Sequence, residues 1–393
     1  MTPAARVQAA IELLDAIIDA AKAEGAPADR LIADYFRQRR YAGSKDRRAV
    51  RELVYRAIRH CGEVPASGRA AMIALGSDDE TIRDLFDGSA HGPAAIAQGE
   101  ALAQPGVAPA WLVERFAASG IEGGELSALM GRAPLDIRVN TLKADRSTIE
   151  LPASGEPLAA PQALRFEGGV QVEQWPAYRD GFIEVQDHGS QLVCLASDAK
   201  LGETVIDLCA GAGGKTLSLA AQTGNEGRLL ACDVDKRRLG NLPPRALRAG
   251  AGMIETLLLD PGRELDALSQ FRASADLVLV DAPCSGTGTW RRKPEAKWRL
   301  TPDRLQRFAQ TQDRLLDIAA QLAKPGGRLQ FVTCSLLDEE GKDRIEAFLA
   351  RHQGWTADAP AMLLGRPHEP GIRLTPGHDD TDGFFVAMLR SPC

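Results

Sequence analysis

The spacing of apolar residues changes character twice along this chain. Val7, Ile11, Leu14, Ile17 or Ile18 and Ala21 recur every three to four residues, and Ala49/Val50, Leu53/Val54 and Ala57/Ile58 repeat the pattern, so residues 1–128 are expected to be helical. Ser44 stands where an N-cap for the second stretch is expected. Over 129–184 the pattern breaks into Pro, Gly and short alternating runs, such as Leu135-Asp-Ile-Arg-Val139 and Phe182-Ile-Glu-Val185, which predict a small mixed α/β segment. From 185 to 393 short apolar runs alternate with glycine-rich turns and helical spacing, the pattern of a mostly parallel sheet with crossover helices. The expected strands are Thr204–Leu208, Arg228–Cys232, Thr256–Leu259, Leu277–Val280, Leu329–Val332 and Phe384–Leu389. The fold class is therefore α/β, with an all-helical domain and a small α/β insert in front of the sheet.

Composition narrows the function classes. At 393 residues, 44% hydrophobic and 25% charged, the chain has the profile of a globular protein with more than one core. The net charge of -6 does not exclude nucleic acid, because phosphate responds to local clusters of cations. One such cluster lies between Arg30 and His60, where ten Arg or Lys face three acids. A solvated, ion-paired helix face would read the same way. Seven cysteines with no Cys-x-x-Cys pair argue against a disulfide framework and against zinc, so no metal is expected. Without a leader-like N-terminus or a run of about eighteen apolar residues, a cytoplasmic protein with no membrane partner is expected, and a monomer.

Candidate chemistry concentrates at the strand ends. Val205–Thr216 reads as a strand, a glycine-rich turn (Cys209, Ala210, Gly211, Ala212, Gly213, Gly214, Lys215) and then a helix over Leu217–Gln222. A P-loop would need its first glycine at Cys209, and a dinucleotide fingerprint would need glycine at Thr216, so both patterns fail by one residue. A pocket for S-adenosylmethionine remains, needing a small-residue turn and an acid for the ribose hydroxyls. Asp233, at the second strand end, suits the ribose; Asp260 suits an adenine amino group and Asp281 the cationic methionine amine. Taken alone, any of these acids also reads as a cap or a solvated turn. Pro243-Pro244 places the start of the following helix near Pro244. Cys284 and Cys334 each follow an apolar run directly, so both thiols should face one crevice, although a lone cysteine also reads as a small buried hydrophobe.

Asp207-Leu-Cys-Ala-Gly-Ala-Gly-Gly-Lys-Thr216, Asp281-Ala-Pro-Cys-Ser-Gly-Thr-Gly288 and Thr333-Cys-Ser335, in this order, resemble the Sun-type RNA cytosine-5 methyltransferases. Arg138-Val-Asn-Thr141, Val185-Gln-Asp-His-Gly-Ser-Gln191 and Asp382-Gly-Phe-Phe385 are similar to further segments of that family. The arginine-rich N-terminus resembles its bacterial ribosomal RNA branch, the RsmB-like enzymes, in which a NusB-like helical domain comes first. The resemblance implies a NusB-like domain over 1–128, a linking α/β domain over 129–184 and a Rossmann-like methyltransferase domain over 185–393. In one place the chain departs from the family pattern, since Gly211-Ala212 stand where Ala-Pro is usual, and a less preorganised loop is expected there.

The resemblance further implies methyl transfer from S-adenosylmethionine to C5 of a cytosine in small-subunit ribosomal RNA, with transfer to tRNA, or an assembly factor carrying a vestigial methyltransferase fold, as alternatives. C5 of cytosine is a poor nucleophile and needs a thiolate added at C6; only about 3% of an ordinary thiol is ionised at pH 7. By resemblance Cys334 is the nucleophile, Cys284 assists release, and Asp281 holds the cytosine edge as well as the cofactor. The Pro-Cys motif by itself points first to Cys284, as in DNA cytosine methyltransferases. For the RNA, Trp290 and Trp298 with Arg291, Arg292, Lys293 and Lys297 between them read as a stacking and charge platform, against the alternative of two core tryptophans. Arg138 and Asn140 are further expected RNA contacts. Lys215, in a helix's first turn where a cation is disfavoured, is expected to face ligand.

Overall fold

A computed structural model describes residues 1–393, which divide into two compact units. The first comprises Met1–Gly131 together with Thr289–Thr301; the second comprises Arg132–Gly288 and Pro302–Cys393. The expected break at 128 thus falls three residues later, and a segment from the middle of the sheet domain belongs to the helical unit. No helix is long and apolar enough to cross a membrane.

The first unit is helical: Pro3–Lys22, Ala28–Gln38, Ser44–His60, Gly68–Asp78, Glu80–Arg83, Ala110–Ala118 and Gly123–Ala128. Its core is built from the predicted stripes, with Val7, Leu14, Ile17, Val50, Val54 and Ile58 fully shielded from water. Gly43, not Ser44, caps the third helix, and Ser44 is its first helical residue. The arginine-rich face is largely ion-paired: Arg30 and Arg37 with Asp34, Arg39 with Glu12, Arg51 with Asp29 and Arg56 with Asp79. Arg40, Lys45 and Arg48 are exposed beside these pairs.

Residues 289–301 correct the expected stacking platform. Trp290 is fully buried and meets Phe116 edge-on, with ring centroids 5.3 Å apart, and Trp298 belongs to the apolar core of the helical unit. Lys297 is buried with them, its Nζ donating to the Val107 carbonyl at 2.9 Å; burial pushes its amine down to about 7. Glu295 accepts from the Ala28 amide at 3.2 Å, and Arg291 is 5% exposed. Lys297 and Arg291 are therefore interior residues, and the aromatic faces are spent on packing. A charge-rich stretch looks exposed in sequence, but single bonds to backbone carbonyls and carboxylates let it be buried.

The second unit holds two sheets. The smaller has β1 (Leu135–Val139), β2 (Glu156–Pro157), β3 (Ala163–Phe166) and β4 (Ile183–Val185) in antiparallel order β2-β3-β1-β4. The larger comprises β5 (Thr204–Asp207), β6 (Arg228–Asp233), β7 (Ile254–Leu258), β8 (Ala275–Asp281), β9 (Ala323–Thr333), β10 (Thr356–Asp358), β11 (Arg366–His368), β12 (Gly371–Leu374) and β13 (Phe384–Arg390). The order is β11-β12-β13-β9-β8-β5-β6-β7, with β10 beside β13; β5 to β9 run parallel, and β13 is antiparallel to β9. Five of the six predicted strands coincide with parallel members, and the sixth, Phe384–Leu389, is the antiparallel strand.

Alternate residues of the central strands feed two cores. Ile206, Leu230, Val278 and Phe331 pack on the side of helix Pro302–Leu322, whereas Val205, Leu229, Leu277 and Val332 pack on the side of helices His188–Ala196, Gly214–Gln222 and Leu242–Ala249. Both faces being covered explains why these strands read as continuous apolar runs. The prolines 243 and 244 lie in the first turn of helix Leu242–Ala249, which begins two residues before the predicted start. After β5 the chain moves outward through β6 and β7, then returns to β8 on the other side of β5. That reversal leaves a crevice at the carboxyl ends of β5 and β8, where ligands of such sheets bind.

Candidate active site

Register brings the predicted strand ends into one row. Asp207 pairs in register with Ala231 and Leu279, and Asp281 with Val332, so Asp207, Asp233, Asp281 and the Thr333-Cys334 turn share one edge of the sheet. The turn after β5 has positive φ at Gly211 (55°) and Gly213 (86°), which glycine adopts at little cost. A methyl group on Gly213 would lie 2.1 Å from Leu242 Cδ1, so this loop is pressed against the helix behind it. The Gly211 amide donates to Asp233 Oδ2 at 2.7 Å, and the Asp235 amide to Asp233 Oδ1 at 2.7 Å. Arg245 donates to the Ala212 carbonyl at 2.5 Å while paired to Glu184 at 2.8 Å, a clamp that sequence reasoning missed. Asp260 is exposed just beyond β7.

Lys215 does not point freely toward a ligand. Its Nζ meets Asp281 Oδ2 at 2.6 Å and lies 5.5 Å from the centre of the Phe384 ring. Burial works against its charge, but Asp281 overrides this and holds the ammonium above its ordinary range. Asp281 thus sits between the glycine turn and the Pro-Cys loop with its charge balanced.

Asp207 was absent from the predicted site. It is almost completely buried; Thr216 Oγ1 donates to its Oδ2 at 2.7 Å, while Oδ1 has no hydrogen-bond partner. Burial pushes its carboxyl up to about 7. Between about pH 4, where an unfolded aspartate titrates, and about pH 7, the folded chain therefore holds a proton that the unfolded chain has lost, and stability falls as pH rises through that window. The loss from this group reaches at most about 4 kcal/mol. Asp207→Asn is expected to lose that part of the pH dependence, seen as urea midpoints at pH 5 and pH 8 that differ less than in the parent protein. An unchanged difference would reject the assignment.

Cys284 and Cys334 lie together, their sulfurs 3.4 Å apart, and both are half-buried. The contact with Cys334, reinforced by burial, holds the Cys284 thiol well above its ordinary range. The backbone of the two loops is interlocked as well. The Gly288 amide donates to the Cys334 carbonyl at 2.9 Å, and the Gly383 amide to the Gly288 carbonyl at 2.8 Å. A side chain at Gly288 would meet the Gly383 carbonyl oxygen at 2.2 Å, which explains the closing Asp382-Gly-Phe-Phe385 segment: two glycines must pass in contact. Beneath the cysteines lie Ser285, Thr287, Ser335, Gln312 and Glu340, all buried and all missed by the sequence reading.

Two expected RNA contacts are corrected here. Arg138 is 5% exposed on β1, its Nε donating to Gln186 Oε1 at 2.7 Å, and burial lowers its guanidinium. Asn140 is equally buried and spends its amide on the Gly181 and Ala249 carbonyls at 2.9 and 2.8 Å. Both fasten β1 to its neighbours. Of the six expected RNA contacts, Lys293 is exposed and Arg292 partly so.

Comparison with known proteins matches this arrangement. The family model for 16S rRNA methyltransferase RsmB/F covers residues 194–390. The ribosomal RNA small subunit methyltransferase B of Escherichia coli O157:H7 (strain EC4115 / EHEC) is 35% identical over 292 residues, 72% of this chain and 66% of that protein. Its counterpart in Salmonella newport (strain SL254) is 38% identical over 232 residues, 58% of this chain and 52% of that protein. The matched part thus spans just under two thirds of the first relative's length. Among solved structures, PH0851 superposes with a TM-score of 0.75 at 27% identity, covering 99% of both chains. NSun6 from Pyrococcus horikoshii, solved with SFG, gives a TM-score of 0.61 at 19% identity over 72% of this chain and 98% of that one.

Proposed function

We propose, from the premise that this chain belongs to the 16S rRNA methyltransferase RsmB/F family, that it methylates C5 of a cytosine in small-subunit ribosomal RNA through a covalent adduct to Cys334. The observation that carries the reading is the pair of thiols 3.4 Å apart at the ends of β8 and β9, beside a glycine turn flanked by acids. S-adenosylmethionine supplies, when bound, a methyl group on a sulfonium centre. The residues suit such a cofactor: the turn from Cys209 to Lys215 offers close backbone approach, Asp233 and Asp260 offer acceptors, and the unpartnered Oδ1 of Asp207 adds a buried acceptor beside them.

The chain's own groups divide the chemistry. Cys334 adds as thiolate to C6 of the base, which makes C5 nucleophilic; after methylation water takes the C5 proton, the electron pair of that C–H bond reforms the C5–C6 double bond and the Cys334 sulfur departs as thiolate. Cys284, in contact with the Cys334 sulfur, assists that departure. Asp281, balanced by Lys215, holds the polar edge of the cytosine. The helical unit, read as NusB-like, offers Arg40, Lys45 and Arg48 to phosphate, and Arg292 and Lys293 extend that contact.

The test is transfer of a labelled methyl group to small-subunit ribosomal RNA and to tRNA, with bisulfite mapping of RNA from a strain lacking the gene. One ribosomal cytosine losing its protection is the expected result, and Asp233→Ala should weaken cofactor binding at least about tenfold. Cofactor binding without transfer to either RNA would favour an assembly factor.

A further inference from the structure

The two loops that carry the cysteines are pinned by one buried carboxylate. Glu340, fully buried in the turn Asp338–Glu340, accepts the Ser285 amide on Oε1 at 2.8 Å and the Ser285 hydroxyl on Oε2. Gln312 Nε2 reaches the same Oε1 at 3.3 Å and donates to the Pro283 carbonyl at 2.9 Å. Both chain neighbours of Cys284 are therefore tied to this carboxylate, one directly and one through Gln312. The other loop joins the same network. Ser285 Oγ lies 3.2 Å from Ser335 Oγ, Thr287 Oγ1 lies 3.1 Å from it, and the Leu336 and Leu337 amides bond to Thr287 Oγ1 and Ser335 Oγ at 2.9 and 3.2 Å.

We infer that Glu340 is a positioning residue that sets the distance between the Cys284 and Cys334 sulfurs without touching either. The inference deepens the proposed reading, in which the two thiols act on one base. A carboxylate is suited to the place because it is acceptor-only, and every group around it (the Ser285 amide, the Ser285 hydroxyl, the Gln312 amide) has a proton to give. Glutamine in its place turns one acceptor into a donor. The Ser285 hydroxyl must then turn to accept, the charge that strengthened both bonds to Ser285 is gone, and the Ser285 segment, with Cys284 attached, is held less tightly.

The distance is read directly with a trivalent arsenical. Phenylarsine oxide condenses with two thiols, forming two As–S bonds and releasing one water, and the chelate resists a competing monothiol only while both sulfurs are held within reach. The full-length protein is expected to retain the arsenical in excess 2-mercaptoethanol. Glu340→Gln, still folded by thermal unfolding, should hold it at least about tenfold more weakly, because the two thiols no longer act as one preorganised site. In the methyl-transfer assay the same variant should lose about 100-fold in kcat with KM for RNA within about threefold, the pattern of misplaced groups rather than lost binding. If Glu340→Gln does not fold, Ser335→Ala removes the other end of the bridge and should shift chelation in the same direction. A folded variant that chelates as the parent does, or a parent that fails to chelate, overturns the inference whatever the methyl-transfer result. Chelation lost in the variant upholds it even if no RNA is methylated, which would count against the proposed function alone.

Discussion

Replacing Cys334 by alanine is expected to abolish methyl transfer, a loss of at least about 10³-fold, while cofactor binding by calorimetry stays within about twofold of the parent. The size follows from the chemistry, since without a thiolate at C6 the C5 carbon has no means of attacking a methyl group, and the thiol in contact with Cys334 is Cys284. That neighbour is the instructive alternative. The Pro-Cys sequence pointed to Cys284 as nucleophile, but its thiol is held well above its ordinary range, chiefly by the contact with Cys334. A thiol held in that range is a poor source of thiolate at neutral pH, which favours the release role for Cys284. Substantial transfer by Cys334→Ala would move the nucleophile to Cys284 and reverse this assignment.

Cys284→Ala should have the opposite phenotype: attack and methylation proceed, release fails, and the enzyme accumulates on its RNA. A protein band shifted by the mass of the bound RNA on a denaturing gel is the expected result, with turnover lowered about 100-fold or more, the usual range for losing a positioned proton-transfer group. Alanine removes the sulfur and its proton while leaving the loop's backbone bonds from Ser285 and Gly288 in place. The double variant lacking both thiols should show neither adduct nor transfer, since Cys334 is needed to enter the trapped state. Normal turnover by Cys284→Ala, with no adduct, would remove its role in release.

Six of the nine strands of the larger sheet were readable because each is a short apolar run, a signal carried by adjacent residues, whereas Thr356–Asp358, Arg366–His368 and Gly371–Leu374 carry no such run. The cysteines and Asp233, Asp260 and Asp281 were readable for the same reason, each following such a run. The support beneath them was not. Glu340 lies six residues past Cys334 and fifty-five past Ser285, in a stretch, Asp338-Glu-Glu, that looks like any solvated turn. Asp207 reads as the last residue of a strand, with nothing to distinguish a buried, unpartnered carboxyl from an exposed one. The Trp290–Arg299 stretch misled because charge density predicts exposure only where no partner waits. In this chain Val107, Ala28 and Phe116, from 174 to 267 residues away, supply the partners for Lys297, Glu295 and Trp290.

Local pattern thus determined the class of fold, the central strands and the candidate groups at their ends, since period, turn chemistry and motif are written in neighbouring residues. Only the tertiary structure decided which of those groups share a contact. The 3.4 Å between two sulfurs fifty residues apart, the raised Cys284 thiol, the Lys215 ammonium spent on Asp281 and the burial of Arg138, Asn140, Arg291 and Lys297 all depend on register and packing between distant segments. Burial raises the cost of every unpaired charge and the strength of every made bond, so the electrostatic roles of these side chains exist only once the chain has closed around them.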